Sequence, residues 1–271
     1  MPQADQSYRV GAVVYHEKVR QIWAAFGEWF SEQGLALEVR FFDAYADQVR
    51  ALVAGELDAA WNTNLAYAHT LQMTDGAAHA IAMRDTDRGW RSHIVGRAGD
   101  GPEELTDLRG ARVGFGDADS PQAHILPVHA LLQEGVDPRT DFVATRLDRD
   151  LGMHGDTGGA ELAQLGRVRG GELDACVVSS VTWDAVGRLG DPDGLRLIWT
   201  SPPFHHCNFT VLAGGTADHD AYRSLLLSMD AADPKLCEPM ELEYVNEWVA
   251  FDASGYASLL AAVAAGPVVV G

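Results

Sequence analysis

The segment Gly55-Glu56-Leu57-Asp58-Ala59 recurs without change as Gly171-Glu172-Leu173-Asp174-Ala175. Each copy lies where a predicted helix passes into a predicted strand, and each is followed by an apolar stretch and then by small polar residues. The opening Arg9-Val10-Gly11 likewise returns as Arg112-Val113-Gly114. A five-residue identity at matching positions indicates two similarly built halves.

Around each copy, the hydrophobic pattern alternates between the periods of strands and helices. In the first half we predict strands over 9–15, 37–42 and 57–61, and helices over 18–33 and 45–54. In the second half we predict strands over 112–116, 142–147 and 173–179, and helices over 120–133 and 157–168. Further strands are predicted over 92–97, 195–199 and 208–212, and a last helix over 254–264. Such βαβαβ alternation predicts an α/β chain in which each half has a mostly parallel sheet with helices on both faces.

The order of these elements predicts a two-lobed molecule with one discontinuous lobe. We assign residues 1–95 plus 200–271 to lobe 1 and residues 96–199 to lobe 2. The tail after the second half is long enough to return to the first lobe. Two chain crossings would then form a hinge, and the cleft between the lobes is where we expect a ligand.

Composition narrows the classes of function. The 271 residues carry a formal net charge of −19, which repels nucleic-acid phosphates and anionic lipid, so we expect neither partner. Three cysteines at wide spacing argue against a disulfide framework. The first nine residues have no basic region followed by an apolar one, and there is no run of about 18 apolar residues to insert in a membrane. We therefore expect a cytoplasmic protein as written, or a periplasmic or extracellular one if a signal has been removed.

Residues 107–120 (DLRGARVGFGDADS) resemble the start of the second lobe in the phosphate/phosphonate-binding components of ABC importers. Trp90-Arg91-Ser92 is similar to the aromatic-Arg-Ser sequence that leads into the crossover strand of that family, and the two repeated segments also match. The resemblance covers most of the chain and is strongest over 84–184. It implies a type 2 periplasmic-binding-protein fold that closes on a small polar, anionic ligand, with an ABC permease as partner if the protein is exported.

The chain departs from that family where the ligand oxygens would bind. The family typically has Ser-Thr-Ser-Gly after the aspartate, whereas this chain has Ser120-Pro121-Gln122-Ala123. Pro121 has no N–H, and Ala123 has no side-chain donor. The backbone amides of this first helical turn still offer an anion site, so the expected ligand is phosphate- or phosphonate-like, or a carboxylate.

Candidate ligand contacts follow from this position and from the carboxyl ends of the strands, where open α/β sheets bind ligands. For several of them, helix capping is an equally good interpretation, and Arg84 is an alternative to Arg91 as the guanidinium near an anion. The predicted contacts are Tyr15, His16, Trp61, Asn62, Thr63, Asn64, Arg91, Ser120, Gln122, Ala123, His154, Thr157, Ser179 and His206.

The stretch Phe204-His205-His206-Cys207 is unusual because imidazole and thiolate are good ligands for zinc, iron or copper. Consecutive residues of an extended chain point to opposite sides, so at most two of His205, His206 and Cys207 would reach one ion. A third ligand such as His154 or His16 would complete the site. Apart from this metal ion, we expect no cofactor.

The sequence leaves a second function open. A cytoplasmic biosynthetic enzyme on the same fold is possible, a lyase or metal-dependent enzyme similar to chorismate dehydratase or the thiamine pyrimidine synthase. His154 and His206 would then be the candidate catalytic residues, with His16 as a further acid or base. No nucleophile, P-loop or dinucleotide motif is present, which favours the binding protein.

Overall fold

A computed structural model describes residues 7–154, 158–188, 194–214 and 217–271. The chain divides into two compact units: unit 1 is Met1–Arg88 with His206–Ala253, and unit 2 is Gly89–His205 with Ser254–Gly271. This division differs from the predicted one at both boundaries, and the last 18 residues belong to unit 2 rather than to lobe 1. The chain therefore passes between the units three times instead of twice. The C-terminal residues belong to unit 2 because Val270 is buried in a hydrophobic core of that unit.

The predicted strands and helices occur in the predicted order, together with further elements that the sequence pattern did not predict. The strands are β1 (Tyr8–Val13), β2 (Leu37–Phe42), β3 (Ala59–Asn62), β4 (Ala78–Arg84), β5 (Ser92–Arg97), β6 (Arg112–Phe115), β7 (Val143–Arg146), β8 (Ala175–Ser179), β9 (Leu195–Thr200), β10 (Asn208–Leu212) and β11 (Trp248–Ala250). The α-helices are α1 (Lys18–Glu32), α2 (Tyr45–Val53), α3 (Asn64–Met73), α4 (Leu126–Gln133), α5 (Gly158–Arg169), α6 (Ser180–Arg188), α7 (His219–Ser228), α8 (Cys237–Leu242) and α9 (Ala257–Ala264). Across the described ranges, no helix combines the length and apolar character needed to cross a membrane.

Each unit contains one sheet, with strand order β11-β4-β10-β3-β1-β2 in unit 1 and β7-β6-β8-β5-β9 in unit 2. The predicted βαβαβ segments do pair in parallel, β1 with β2 and β3, and β6 with β7 and β8. The other strands join antiparallel: β10, β4 and β11 in unit 1, and β5 and β9 in unit 2. Both sheets are thus mixed, where the sequence predicted mostly parallel ones.

Aromatic side chains fill the core of unit 1. The apolar positions predicted for α1 all face inward, with Val19, Ile22, Trp23, Phe26 and Phe30 buried. They pack in one cluster with side chains of the sheet and of α7, including Trp61, Phe209, Tyr222 and Trp248. Burying each such side chain stabilises the fold by about 1.5–3 kcal/mol, which explains why α1 forms without a side-chain cap.

The repeated segment makes the same contacts in both units. Arg9 donates to both carboxylate oxygens of Asp58, and Arg112 does so with Asp174. A Cβ atom on Gly11 would lie 2.6 Å from Leu57 Cδ1, and one on Gly114 would lie 2.6 Å from Leu173 Cδ1. The recurrence is therefore a structural device that joins the first strand of each βαβαβ segment to the third.

Candidate functional site

The end of β3 forms a buried polar cluster in unit 1. Gln48 of α2 donates its Nε2 to the carbonyl oxygen of Trp61 and to Oδ1 of Asn62, both at 2.8 Å. Asn208 lies directly opposite Asn62 in the β10–β3 pair, and its Oδ1 accepts a hydrogen bond from the Thr210 hydroxyl. The Nδ2 atoms of Asn62 and Asn208 are both buried, with no hydrogen-bond partner in the described part of the chain. This strand end therefore presents two amide donors that an acceptor could satisfy.

Thr63 and Asn64 begin the helix that follows. Thr63 Oγ1 accepts a hydrogen bond from the backbone N of Ala66 at 3.2 Å, and Asn64 Oδ1 accepts one from the N of Leu65 at 2.9 Å. Both residues are buried. The capping role that the sequence left open is thus present, and contact of these two residues with a ligand stays a prediction.

Tyr15 and His16 follow β1, at the same edge of the sheet. His16 is exposed, and its Nδ1 accepts a hydrogen bond from the backbone N of Lys18 at 3.1 Å, at the start of α1. The Lys18 ammonium in turn lies 5.8 Å from the centre of the Tyr15 ring. These side chains help to fix the beginning of α1 and leave the imidazole of His16 facing solvent.

A buried ionic network lies at the end of β4. Arg84 donates Nε and Nη2 to the two carboxylate oxygens of Asp87, at 2.7 and 2.8 Å. Its Nη1 donates to the carbonyl oxygen of Glu243 at 2.6 Å and to Glu243 Oε1 at 3.3 Å. Trp61 donates Nε1 to the same Oε1 at 3.1 Å. Burial raises the pKa of the Glu243 carboxyl, and the adjacent Arg84 opposes that rise. Arg84 therefore holds two carboxylates of its own unit.

His206 and Cys207 extend this network to the start of β10. The backbone N of His206 donates to the carbonyl oxygen of Asp87 at 3.0 Å. His206 Nδ1 lies 2.9 Å from Cys207 Sγ and 3.8 Å from Asp87 Oδ1. Burial lowers the pKa of His206 to about 4, so the imidazole is neutral at neutral pH. Asp87, His206 and Cys207 thus place three potential metal-ligating atoms within 4.8 Å of one another.

His205 does not join this group, so two of the three candidate ligands, His206 and Cys207, lie together here. It lies in unit 2, where its Nδ1 accepts a hydrogen bond from the backbone N of Gly89 at 3.3 Å and its ring packs edge-on against Tyr256. Simple alternation along an extended chain would separate His206 from Cys207, yet these consecutive side chains meet, with 2.9 Å between Nδ1 and Sγ. Asp87 supplies the third ligating atom instead.

In unit 2, Ser120 opens a π-helical turn, Pro121–Ile125, that leads into α4. Ser120 Oγ accepts a hydrogen bond from the N of Ala123 at 3.0 Å. The carbonyl oxygen of Ser120 accepts from the N of His124 at 3.1 Å and of Ile125 at 2.9 Å. The backbone amides of Ala123, His124 and Ile125 are therefore bonded within this turn and do not point freely at an anion. Ser120 and Ala123 are fully buried, and Gln122 is 1% exposed.

Pro127 explains why the turn widens. Its ring nitrogen has no proton to donate to the carbonyl of Ala123, so that carbonyl accepts from the N of Gly116 at 3.0 Å instead. The Ser92 hydroxyl donates to the carbonyl oxygen of Gln122 at 2.6 Å. The turn is thereby attached to the end of β6 and to the start of β5.

Carboxylates tie two loops of unit 2 together. These acidic loops are residues 117–120 and 147–154. Asp117 Oδ1 accepts from the N of Asp150 at 3.0 Å, and Asp119 Oδ2 accepts from the N of Gly152 at 2.7 Å. Asp117 Oδ2 and Asp119 Oδ1 are buried, with no partner among the residues that the structure describes. His154 Nε2 lies 3.5 Å from Asp119 Oδ2. The acidic loops thus offer unpaired hydrogen-bond acceptors, whereas an anion needs hydrogen-bond donors.

The ionisation of these loops is shifted accordingly. Burial raises the pKa of Asp117 to about 6, and the charges of Asp150, Asp119 and Asp148 add to the rise. Burial also raises the pKa of Asp119. A protonated Asp117 would become a hydrogen-bond donor, so the charge of the acidic loops changes with pH near 6.

The remaining predicted contacts of unit 2 have partners within that unit. Arg91 donates Nη1 to the carbonyl oxygen of Ser201 at 2.7 Å. Ser179 donates its N and Oγ to Glu161 Oε2, at 2.9 and 2.8 Å. Thr157 lies outside the described residues.

Sequence reasoning missed several residues that complete these clusters. Neither Asp87 nor Glu243 carries a sequence motif that would connect it to Arg84. Asn208 follows the conspicuous His-Cys stretch and could have been noticed as a further amide at a strand end. Asp117 lies within the stretch 107–120 that resembles the family, and an aspartate directly after a predicted strand is in itself a recognisable sign of a candidate site residue.

The model of one protein family matches residues 12–256 of this chain. That family is described as the periplasmic substrate-binding protein of the phosphonate ABC transporter. The matched range covers most of both units and includes all of the candidate site residues.

Solved structures of the same fold support the division into two α/β units. The protein XAC2383 from Xanthomonas citri, bound to ATP, is 19% identical with a TM-score of 0.74, covering 96% of this chain and 98% of that chain. PhnD1 from Prochlorococcus marinus (MIT 9301), in complex with methylphosphonate, is 17% identical with a TM-score of 0.67, covering 96% and 97%. The periplasmic aliphatic sulphonate-binding protein SsuA from Escherichia coli is 14% identical with a TM-score of 0.57, covering 95% and 85%. At these identities, the similarity concerns the fold.

Proposed function

The chain belongs to the family of phosphonate-type periplasmic substrate-binding proteins of ABC transporters, and from that premise we propose that its ligand is a small oxyanion. It is a solute-binding protein of the ABC-transporter type, and the enzyme alternative is not favoured. The narrower proposal concerns chemistry: a compact head group with several acceptor oxygens, of the phosphonate or sulfonate class.

The ligands of similar structures support this class. The Prochlorococcus protein is in complex with methylphosphonate, the Escherichia protein binds aliphatic sulphonates, and the Xanthomonas protein is bound to ATP in one structure and to a chloride ion in another. All of these ligands are anions, and methylphosphonate, sulphonates and ATP also share a tetrahedral head with acceptor oxygens. A site that serves this range must supply hydrogen-bond donors.

The observation that carries the proposal is the pair of amide donors at the end of β3. Asn62 and Asn208 are fully buried, stand opposite each other, and have Nδ2 atoms without partners in the described chain. A buried donor without an acceptor costs about 1–3 kcal/mol, so an incoming acceptor oxygen recovers that energy. The N-terminus of α3, at Asn64, adds a favourable dipole for negative charge.

Unit 2 has a different role in this proposal. The acidic loops and the closed turn at Ser120 make this unit a poor site for a bare anion at high pH. We propose that unit 2 by itself offers contacts to an anion through the predicted residues of the turn and of the acidic loops, and that it does so mainly when Asp117 is protonated. These residues are Ser120, Gln122, Ala123 and His154, whereas the predicted contact at Thr157 lies outside the described residues.

The partner and the compartment follow the family. We propose that the loaded protein delivers its ligand to an ABC permease in the periplasm, and that ligand binding itself needs no cofactor. The location accords with the periplasmic family that the chain matches. A pull-down of the membrane permease with the loaded protein, compared with the unloaded one, tests the partner.

Titration calorimetry with methylphosphonate, inorganic phosphate and ethanesulfonate tests the ligand class. We expect the wild-type protein to bind at least one of them with a stoichiometry of one. Asn62→Asp replaces a donor by a negative acceptor of the same shape and should weaken binding at least tenfold, about 1.4 kcal/mol. Gln72→Glu makes the same chemical change at an exposed position of α3 and should leave the affinity unchanged.

Two results would overturn the proposal. Absence of heat with all three anions would exclude the ligand class. Equal affinity of the wild type and Asn62→Asp, with both proteins folded by circular dichroism, would remove the strand end from the site.

A further inference from the structure

The group at the end of β4 and the start of β10 has the composition of a metal site. We propose that unit 1 binds one divalent transition-metal ion of the zinc type through a carboxylate oxygen of Asp87, Nδ1 of His206 and Sγ of Cys207. Among the described residues, these are the three ligating side chains whose atoms lie within 4.8 Å of one another. All three side chains are buried.

The chemistry of the three donors selects the class of ion. A thiolate and an imidazole favour zinc, cobalt, nickel or copper over magnesium and calcium, which prefer oxygen ligands. Three protein ligands, with water in the fourth position, form a common tetrahedral arrangement for zinc.

The interatomic distances are close to those of a tetrahedral site. With bond lengths of about 2.0 Å to nitrogen and about 2.3 Å to sulfur, such an ion separates the two ligating atoms by roughly 3.5 Å. His206 Nδ1 and Cys207 Sγ are 2.9 Å apart, and His206 Nδ1 and Asp87 Oδ1 are 3.8 Å apart. The His206–Cys207 separation would have to lengthen by about 0.6 Å for one ion to bind both atoms.

Charge around the group balances when the ion is present. Arg84 and a divalent ion together bring three positive charges, and Asp87, Glu243 and a Cys207 thiolate bring three negative charges. Arg84 contacts both carboxylates, at 2.7 and 3.3 Å. The pair Arg84–Asp87 is bidentate, yet each carboxylate oxygen retains a lone pair for the metal.

The surrounding contacts hold the ligands in place before an ion arrives. The backbone N of His206 donates to the carbonyl oxygen of Asp87, which fixes the two ligand-bearing segments side by side. Arg84 fixes the carboxylate of Asp87, and Trp61 and Arg84 fix Glu243. Such outer contacts typically change metal affinity by 10- to 100-fold. The site is therefore assembled by the fold of unit 1.

Cobalt provides a direct test, because a cysteine thiolate bound to Co²⁺ gives an intense charge-transfer absorption band. The full-length protein would be freed of metal with a chelator, titrated with Co²⁺, and then back-titrated with Zn²⁺. We expect one equivalent of Co²⁺ to produce the band and one equivalent of Zn²⁺ to remove it. Native mass spectrometry of the zinc form should show one bound ion.

The other cysteines provide matched controls. Cys237 is exposed in unit 1, and Cys176 is buried in unit 2. Cys207→Ser should abolish the band and lower the affinity for zinc at least 100-fold. Cys237→Ser should keep both. Loss of the band in Cys237→Ser, with its retention in Cys207→Ser, would mean adventitious binding at the surface and would overturn the proposal.

Folding of the variants is monitored by near-ultraviolet circular dichroism. If Cys207→Ser does not fold, His206→Gln tests the metal site instead, because this variant keeps the thiol and removes the imidazole ligand. We expect at least a tenfold loss of zinc affinity in that variant, and zinc should raise the unfolding temperature of the wild type only. A folded wild-type protein that takes up no Co²⁺ or Zn²⁺ contradicts the proposal outright.

Discussion

Asp117 shows how strongly burial changes the chemistry of a single carboxyl group. Its side chain is fully buried, one oxygen accepts from the backbone of Asp150, and the other has no partner in the described chain. Three further aspartates surround it, which adds to the rise of its pKa to about 6. The folded protein therefore prefers the neutral acid, whereas the unfolded chain ionises near the ordinary value of 3.8.

This preference predicts a stability that depends on pH. The raised pKa of Asp117 stabilises the fold fully below pH 3.8, and the contribution is lost as the pH rises through about 6. Asp117→Asn keeps the oxygen that accepts from Asp150 and cannot ionise, so we expect it to raise the free energy of unfolding by about 1–2 kcal/mol at pH 8. At pH 4 the difference should nearly disappear. Urea unfolding of the wild type and Asp117→Asn at pH 4 and pH 8 measures this difference in the free energy of unfolding.

The exposed Asp184→Asn in unit 2 is the control, since surface substitutions usually change stability by at most about 0.5 kcal/mol. An advantage of Asp117→Asn that was the same at pH 4 and pH 8 would contradict the assignment to ionisation.

At the level of elements, the repeated segment explains why two halves with little else in common fold alike. In each unit an arginine on the first strand of the βαβαβ segment binds the repeated aspartate, and a glycine two residues later lies against the repeated leucine. The glutamines Gln48 and Gln164 also recur, and each donates to a backbone carbonyl oxygen of the sheet at 2.8 Å. The identity of the two copies is therefore a packing requirement.

Adding one methyl group at the two glycines tests this requirement. Gly11→Ala would place a Cβ 2.6 Å from Leu57 Cδ1, and Gly114→Ala would place one 2.6 Å from Leu173 Cδ1. We expect each to lower the free energy of unfolding by about 1–3 kcal/mol. Gly27→Ala in α1, where nothing lies within 4 Å, should raise it by about 0.4–1 kcal/mol. Thermal unfolding of the three variants compares them, and a stabilising Gly11→Ala would refute the close packing.

The local sequence pattern predicted those helices and strands whose hydrophobic spacing and end signals lie within the element itself. The helix at α1 and the strands β2, β5 and β10 match the predicted ranges to within one residue, because amphipathic spacing and glycine stops are local properties. The prediction missed β4 and β11. The strand β11 has three residues, too few for a period, and β4 contains alanines and a methionine that fit a helix equally well.

The candidate clusters were less predictable because their members meet only after folding. His206 and Cys207 were recognised from their chemistry, but Asp87 and Glu243 come from distant parts of the sequence, and only the antiparallel strands bring them together. The amide pair Asn62–Asn208 depends on the same antiparallel pairing, which a parallel-sheet prediction could not supply.

At the level of the whole molecule, the assignment of the C-terminal tail decides which unit it stabilises. The carbonyl oxygen of Val268 accepts from His124 Nε2 at 3.3 Å, and that of Val270 accepts from Arg146 Nη1 at 2.9 Å. Val270 is 5% exposed and packs in the core of unit 2, while the adjacent Val269 is 56% exposed. The tail is thus an integral part of unit 2.

Two neighbouring valines provide a sharp comparison. Val270→Ser places a hydroxyl in the core of unit 2 and should cost about 1–3 kcal/mol, whereas Val269→Ser should change stability by at most about 0.5 kcal/mol. Because the loss lies within unit 2, amide hydrogen exchange should accelerate in β6 and α4 of Val270→Ser and remain at wild-type rates in β1 and α1. Equal acceleration in β1 and α1 would mean that the two units unfold together. Acceleration confined to β1 and α1 would instead return the tail to the first unit, as the sequence had predicted.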